Sequence, residues 1–251
     1  MYLLGTDIGT QGTKSVLVNE KGELISEGFK EYEVITPRPS WAEQWPDIWL
    51  DAVVETLAES VKKSGVKPSE IAGVAISGLY GGSGVPVDKE MNPLRPCLIW
   101  MDRRARAETQ WVKDNVPKDT IFGITGNYVD SYFGFTKMMW IRNNEPDIWN
   151  KIYQFVTPKD YVVYKLTNQL AIDYSSAGNI GGVFDIKKRT WSDEMCQILN
   201  IPRRMLCERI VKSSDIVGRL NREFSNRIGL LEGTPVAVSY THLTLPTIYS
   251  V

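Results

Sequence analysis

The first eighteen residues restrict the fold of this chain more than any other stretch does. Residues 3–8 read Leu-Leu-Gly-Thr-Asp-Ile, and residues 15–18 read Ser-Val-Leu-Val. Two short apolar runs on either side of a glycine-containing turn predict a pair of strands joined as a hairpin. The turn contains Gly9 and Gly12, where the missing Cβ lets other groups approach the backbone closely.

Two interpretations fit the residue types in this turn. Backbone N–H groups edged by threonine hydroxyls and by Lys14 suit a phosphate group together with its magnesium ion. Alternatively, Gly, Thr and Asp form an ordinary hairpin turn through local hydrogen bonds. The turn alone leaves both interpretations open.

Composition excludes several classes of protein. The chain has 251 residues, with 29 basic and 30 acidic side chains, and this balance argues against a nucleic-acid partner. No apolar run approaches the roughly 20 residues that span a bilayer. The first residues also lack the basic stretch and apolar core of a signal peptide. Three scattered cysteines without metal spacing indicate reduced thiols in a cytoplasmic protein.

Hydrophobic periodicity predicts one continuous α/β domain. A strand over 24–34 follows the hairpin, and a helix begins at Pro46, which suits a first helical turn. Residues 71–77 form an almost wholly apolar strand, typical of a strand covered on both faces. Later in the chain, helices are predicted over 104–115, 135–143, 159–166, 191–199 and 222–228. Ser192 is the predicted N-cap of the fourth of these helices, and residues 172–179 are predicted as a small-residue loop.

Polar and glycine-rich segments follow two of the apolar strands. Residues 78–84 contain four glycines, which provide either room for a ligand or a flexible hairpin. The strand over 96–100 runs into Met-Asp-Arg-Arg, where charge is costly unless it is paired. Asp102 could therefore form an ion pair with an arginine, or accept hydrogen bonds from the hydroxyls of a polyol.

The motifs, taken in order, resemble the amino-terminal domain of the FGGY family of carbohydrate kinases. This group contains xylulokinase, glycerol kinase and ribulokinase. The resemblance covers residues 2–238, and its strength comes from about a dozen short motifs in family order. They lie at residues 7–14, 43–49, 76–78, 93–96, 100–104, 125–126, 136–137, 158–161, 173–175, 191–192 and 233–236.

The resemblance implies a fold and a domain organisation. It predicts an RNase H-like, actin-like ATPase domain, with a mixed central sheet flanked by helices, over residues 1–238. The family also has a second domain that holds the adenosine, and we expect that domain to be missing from this chain. Residues 239–251 do not match the family pattern and are expected to be a truncation artefact that packs poorly. His242 stands where the family has its catalytic Asp, so we assign no catalytic residue and expect this fragment to be inactive.

The resemblance also implies the site residues. Asp7 is expected to bind magnesium. The cofactor contacts are expected at Asp7, Gly9, Thr10, Gln11, Gly12, Thr13 and Lys14. The substrate contacts are expected at Tyr80, Gly81, Trp100, Asp102, Arg103 and Tyr132. At positions 80 and 81 glycerol kinases have Arg-Glu and xylulokinases have Met-His, so the Tyr-Gly of this chain leaves the sugar undetermined.

The implied function is ATP-dependent phosphorylation of a small sugar or polyol hydroxyl, with ATP and Mg²⁺ as cofactors. A ketopentose such as xylulose is the expected substrate, and a homodimer is allowed. Two alternatives remain open. One is a non-catalytic sugar- or nucleotide-binding protein of the actin-like superfamily. The other is a structural actin-like subunit, which the polar residues over 100–103 and Tyr132 disfavour.

Overall fold

The structure is a computed structural model, and it describes residues 1–79 and 82–238. The strands are β1 (Tyr2–Ile8), β2 (Gly12–Asn19), β3 (Leu24–Glu31), β4 (Glu43–Gln44), β5 (Ile71–Gly78), β6 (Val85–Val87), β7 (Cys97–Leu98), β8 (Gln154–Val156), β9 (Ile172–Asp173), β10 (Phe184–Asp185), β11 (Thr190–Trp191), β12 (Ile210–Val211), β13 (Ile216–Arg219) and β14 (Pro235–Val238). The helices are α1 (Pro46–Ser64), α2 (Arg106–Asn115), α3 (Lys118–Thr125), α4 (Gly134–Asn144), α5 (Pro146–Trp149), α6 (Pro158–Thr167), α7 (Tyr174–Ile180), α8 (Asp193–Leu199) and α9 (Arg222–Ile228).

A mixed sheet forms the centre of the described residues. Its six strands are ordered β13-β14-β5-β1-β2-β3. β1, β2 and β3 pair antiparallel as consecutive hairpins, whereas β5 lies parallel to both β1 and β14. The predicted hairpin and the predicted mixed sheet flanked by helices are both confirmed.

Helix α1 covers one face of this sheet. Pro46 occupies its first turn, and Gly65 ends it in the left-handed conformation, with φ 65°. The helix buries an apolar stripe that contains Val53, Leu57 and Val61, and it packs on the sheet mainly against β3 and β2. Burial of this stripe, rather than helix propensity, is what holds α1 on the sheet.

A second apolar cluster lies among the smaller helices and contains Phe135, Met138 and Trp191. Here one sequence prediction is wrong: residues 172–179, predicted as a loop, form β9 and most of α7. The Asp173 carboxylate caps this helix, because it accepts hydrogen bonds from the amides of Ser175 and Ser176. The small residues of this segment predicted a loop, whereas the cap at Asp173 stabilises the start of a helix. The predicted N-cap at Ser192 is confirmed, since its hydroxyl accepts from the amide of Met195.

Other sequence predictions have definite outcomes in the described residues. No helix within 1–79 and 82–238 is long and apolar enough to cross a membrane. Cys97, Cys196 and Cys207 are buried, and burial raises the pKa of Cys97 to about 12. The predictions about Tyr80, Gly81, His242 and the 239–251 tail concern residues outside those that the structure describes.

Candidate functional site

The turn between β1 and β2 depends on its two glycines. The amide of Gly9 donates to the carbonyl of Gly12 at 2.9 Å. A Cβ on Gly9 would lie 2.7 Å from that same oxygen, and a Cβ on Gly12 would lie 2.9 Å from the Lys30 carbonyl. Local hydrogen bonding, the second interpretation of this turn, is therefore present. Phosphate binding by the turn stays a prediction.

Side chains from later elements hold this turn in place. The Tyr32 hydroxyl donates to the Gly9 carbonyl at 2.6 Å, and the Gln44 amide donates to the Thr10 carbonyl at 2.8 Å. Burial raises the pKa of Tyr32 to about 12, so the phenol keeps its proton and remains a donor. Neither Tyr32 nor Gln44 has a role that the sequence predicts. The only signal was the position of Gln44 in the motif at the start of α1.

Three polar residues stand side by side where β1, β2 and β5 meet the turn. Asp7 is opposite Lys14 on one neighbouring strand and Ser77 on the other, so the three share one face of the sheet. Asp7 is exposed, and the Lys14 ammonium lies 2.6 Å from the carboxylate of Glu27 in a half-exposed pair. A carboxylate and an ammonium thus flank the glycine turn, as the sequence predicts.

The donor set at Asp7 suits a magnesium ion that is shared with phosphate. Within residues 1–79 and 82–238, no group of three or more His, Cys, Asp or Glu side chains could hold a metal ion. Mg²⁺ rarely needs such a cage, because it commonly binds one or two carboxylates together with phosphate oxygens and water. Asp7, exposed at a strand end beside the turn, fits that mode.

Residues predicted for the sugar side lie against the predicted phosphate side. The Trp100 indole N–H donates to the Thr10 hydroxyl at 2.9 Å. The Trp100 and Tyr132 rings meet edge to face with centroids 6.2 Å apart, and the Arg103 guanidinium lies 5.7 Å from the Tyr132 ring. These three side chains are partly buried. We call Trp100, Arg103 and Tyr132 the aromatic cluster.

Asp102 belongs to the same segment but points into the protein, where it is fully buried. Its carboxylate accepts from the Ala42 amide at 2.7 Å and from the Arg104 guanidinium at 2.7–3.0 Å. The ion pair, the first of the two alternatives for this residue, is what the structure contains. A sugar contact by Asp102 stays a prediction, and it would require this pair to open.

Arg104 extends this ion pair into a buried network. Its guanidinium also lies 2.7 Å from Glu43, which in turn pairs with Arg95 at 2.6 Å. The Trp41 ring packs against the Arg104 guanidinium at 3.5 Å. The network joins β4, which precedes α1, to the segment that carries Trp100. It therefore holds in place the segment that contains Trp100 and Arg103.

Glycines after β5 allow two chain segments to cross closely. Gly82 has φ 55°, and a Cβ there would lie 1.9 Å from the Leu98 carbonyl. A Cβ on Gly134 would lie 2.1 Å from the Gly82 carbonyl. The amide of Leu79 donates to the Ile8 carbonyl at 2.6 Å. The segment that flanks Tyr80 and Gly81 thus lies beside the end of β1 and the start of α4, although those two residues are outside the description.

Comparison with known proteins gives a consistent result. The model of the FGGY family of carbohydrate kinases, N-terminal domain, matches residues 2–242. Xylulose kinase of Staphylococcus xylosus is 34% identical over 230 residues, which are 91% of this chain and 46% of that protein. Glycerol kinase 2 of Thermotoga maritima is 31% identical over 224 residues, which are 86% of this chain and 45% of that protein.

A solved structure agrees with these sequence matches. The crystal structure of xylulose kinase from Rhodospirillum rubrum has a TM-score of 0.89 and 25% identity, over 95% of this chain and 48% of that one. The chain therefore spans about half the length of the curated relatives that it matches.

Proposed function

The chain belongs to the FGGY family of carbohydrate kinases, and on that premise we propose a function for the protein that contains this chain. The protein transfers a phosphoryl group from ATP to a hydroxyl of a small sugar or polyol, with a ketopentose such as xylulose as the substrate. The observation that carries this proposal is the hydrogen bond from Trp100 to Thr10. It joins the aromatic cluster to the glycine turn, so a sugar hydroxyl and a phosphate would meet at one edge of the sheet.

The turn residues supply the phosphate side in this proposal. Asp7 would hold Mg²⁺, and Thr10, Gln11, Thr13 and Lys14 would contact the ATP phosphates from the turn. When bound, the ion neutralises charge on the phosphate oxygens, and positioning accounts for most of the catalysis in phosphoryl transfer. Gly9 and Gly12 serve by keeping the turn compact, since the Gly9 amide is already used within it.

The aromatic cluster supplies the sugar side. Sugars present apolar C–H faces and polar hydroxyls, and Trp and Tyr offer an apolar ring together with a polar tip. Arg103, paired with Asp130 at 2.5 Å, would orient hydroxyl oxygens as a hydrogen-bond donor. Tyr80 and Gly81 stay in the proposed site from sequence alone. We assign no base among the described residues, and the family's Asp position is His242.

The choice of xylulose rests on the names of relatives, since proteins named xylulose kinase match at 32–34% identity. The Tyr-Gly pair at positions 80 and 81 differs from the Met-His of that group, so the sugar must be measured. The cytoplasmic location and the homodimer stay predictions as well.

A ligand panel tests this proposal against the non-catalytic alternative. Thermal unfolding of the chain is followed with xylulose, ribulose, gluconate and glycerol, each with and without ATP and Mg²⁺. A ligand that binds the folded state stabilises it by about 2.7 kcal/mol at one hundred times its Kd. We expect the melting temperature to rise with a ketopentose, and to rise by a smaller amount with ATP and Mg²⁺.

Activity is then measured on a longer protein that carries this sequence, by coupling ADP formation to NADH oxidation. Sugar-dependent turnover supports a kinase. Sugar binding without turnover supports the non-catalytic binding protein. If no sugar binds to the chain, both the kinase and the non-catalytic binding protein are contradicted. The structural actin-like subunit is then the alternative that agrees with the result.

A further inference from the structure

Helix α4 buries the ammonium of a lysine immediately behind the aromatic cluster. Lys137 is fully buried, and its amino group donates to the carbonyls of Ser131 at 2.5 Å and Tyr132 at 2.8 Å. These acceptors are main-chain carbonyls and not carboxylates. The two bonds tie the first turns of α4 back onto the segment that leads into it.

Burial of this amino group is energetically costly. It lowers the pKa of Lys137 to about 7, although Asp102, Cys97 and Asp130 oppose that shift and Arg103 reinforces it. Lys159, by contrast, lies 2.6 Å from each of the carboxylates of Asp160 and Asp173. A methionine would fill the space of Lys137 without the desolvation cost. The bonds to residues 131 and 132 are what the lysine adds.

Those bonds hold a segment with a functional side chain. The Tyr132 amide donates to the Asp130 carboxylate at 2.7 Å, and Asp130 also pairs with Arg103. The Tyr132 ring meets Trp100, and Trp100 donates to Thr10. An unbroken series of contacts therefore runs from the Lys137 amino group through Tyr132 to the glycine turn.

We propose that Lys137 is the positioning residue of the sugar site: it fixes the Tyr132 main chain so that the ring faces Trp100 and the glycine turn. This inference rests on the proposed function, because it assigns the Tyr132 ring to the sugar. Hydrogen bonds from a charged donor are about twice as strong as neutral ones. Deprotonation of Lys137 should therefore loosen the segment without releasing it.

The test compares Lys137→Met with Met138→Ala. Met138 is the next residue of α4 and is fully buried in the helical cluster. Its truncation leaves a cavity and lowers stability while leaving the carbonyls of 131 and 132 bonded. It therefore controls for loss of stability alone.

The first measurement is sugar affinity of the 251-residue chain by calorimetry, with xylulose as the probe, well below the melting temperatures. We expect Lys137→Met to weaken binding about tenfold or more, and Met138→Ala to stay within about twofold of wild type. Affinity of the wild type should also fall several-fold between pH 6 and pH 8.5, whereas that of Lys137→Met should stay flat. Equal weakening by both substitutions, or wild-type affinity in Lys137→Met, overturns the proposal.

The second measurement needs no sugar and separates this inference from the proposed function. Hydrogen exchange at the Tyr132 amide should be faster in Lys137→Met than in wild type or in Met138→Ala. Unchanged exchange overturns the inference even if a sugar binds. A wild-type chain that binds no sugar contradicts the proposed function instead, and the exchange rates still decide whether Lys137 holds the segment.

Discussion

Replacing Asp102 by asparagine distinguishes the two roles that its sequence position allows. The substitution keeps the size of the side chain, removes its charge and turns an N–H₂ group toward the donors of Arg104. In the structure this carboxylate is fully buried and accepts from Ala42 and from three nitrogens of Arg104. The guanidinium would then remain buried with Glu43 as its charged partner at 2.7 Å.

The expected effect is a large loss of stability. Removing one partner of a buried ion pair typically costs about 3–5 kcal/mol. Because Glu43 still compensates part of the Arg104 charge, we expect the lower end of that range, about 3 kcal/mol. For a chain of this size each kcal/mol shifts the melting temperature by about 2–4 °C, so the midpoint should fall by about 6–12 °C.

Asp130→Asn is the matched control, measured by the same thermal and urea unfolding. Asp130 also pairs with an arginine, Arg103, but the side chain of Asp130 is 55% exposed and that of Arg103 is 38% exposed. Exposed pairs contribute about 0–1 kcal/mol, so this substitution should change the midpoint by only a few degrees. An Asp102→Asn protein with wild-type stability and lost sugar affinity would refute the structural role and restore Asp102 as a sugar ligand.

Three further predictions concern the turn and the buried lysine. Asp7→Ala, in a longer protein with kinase activity, should abolish sugar-dependent ADP formation and leave the melting temperature nearly unchanged, because Asp7 is exposed; undiminished turnover would contradict its metal role. Gly9→Ala should destabilise the chain by about 1–3 kcal/mol, since its Cβ would lie 2.7 Å from the Gly12 carbonyl. The control Gly123→Ala, in α3 with open space at its Cβ, should stabilise it by about 0.5–1 kcal/mol, and equal effects in urea unfolding would argue against a strained turn. Finally, the native pKa of Lys137, about 7, lies below the usual 10.5, so the unfolded chain binds more protons between these values. The free energy of unfolding should therefore rise with pH in that window, by up to about 1.4 kcal/mol per pH unit relative to Lys137→Met; parallel pH curves for the two proteins would show that Lys137 is not responsible.

Local patterns in the sequence determined much of this fold. The glycine turn between two apolar runs predicted the β1–β2 hairpin, and Pro46 predicted where α1 begins. Turns and helix starts depend on residues that are close together in the chain, so the spacing of those residues in the sequence is enough to predict them. The order of short motifs likewise identified the family, although each motif by itself is weak.

The tertiary structure decided what spacing could not. Trp100 and Thr10 are 90 residues apart, and only packing of the segment after β7 against the hairpin turn brings the indole to the hydroxyl. The same packing buries Asp102 against Arg104, because a charge that is removed from water needs a partner within the protein. Lys137 gave no signal in the sequence beyond its motif. Its role depends on the carbonyls of Ser131 and Tyr132, which lie within hydrogen-bonding distance of its amino group only in the folded protein.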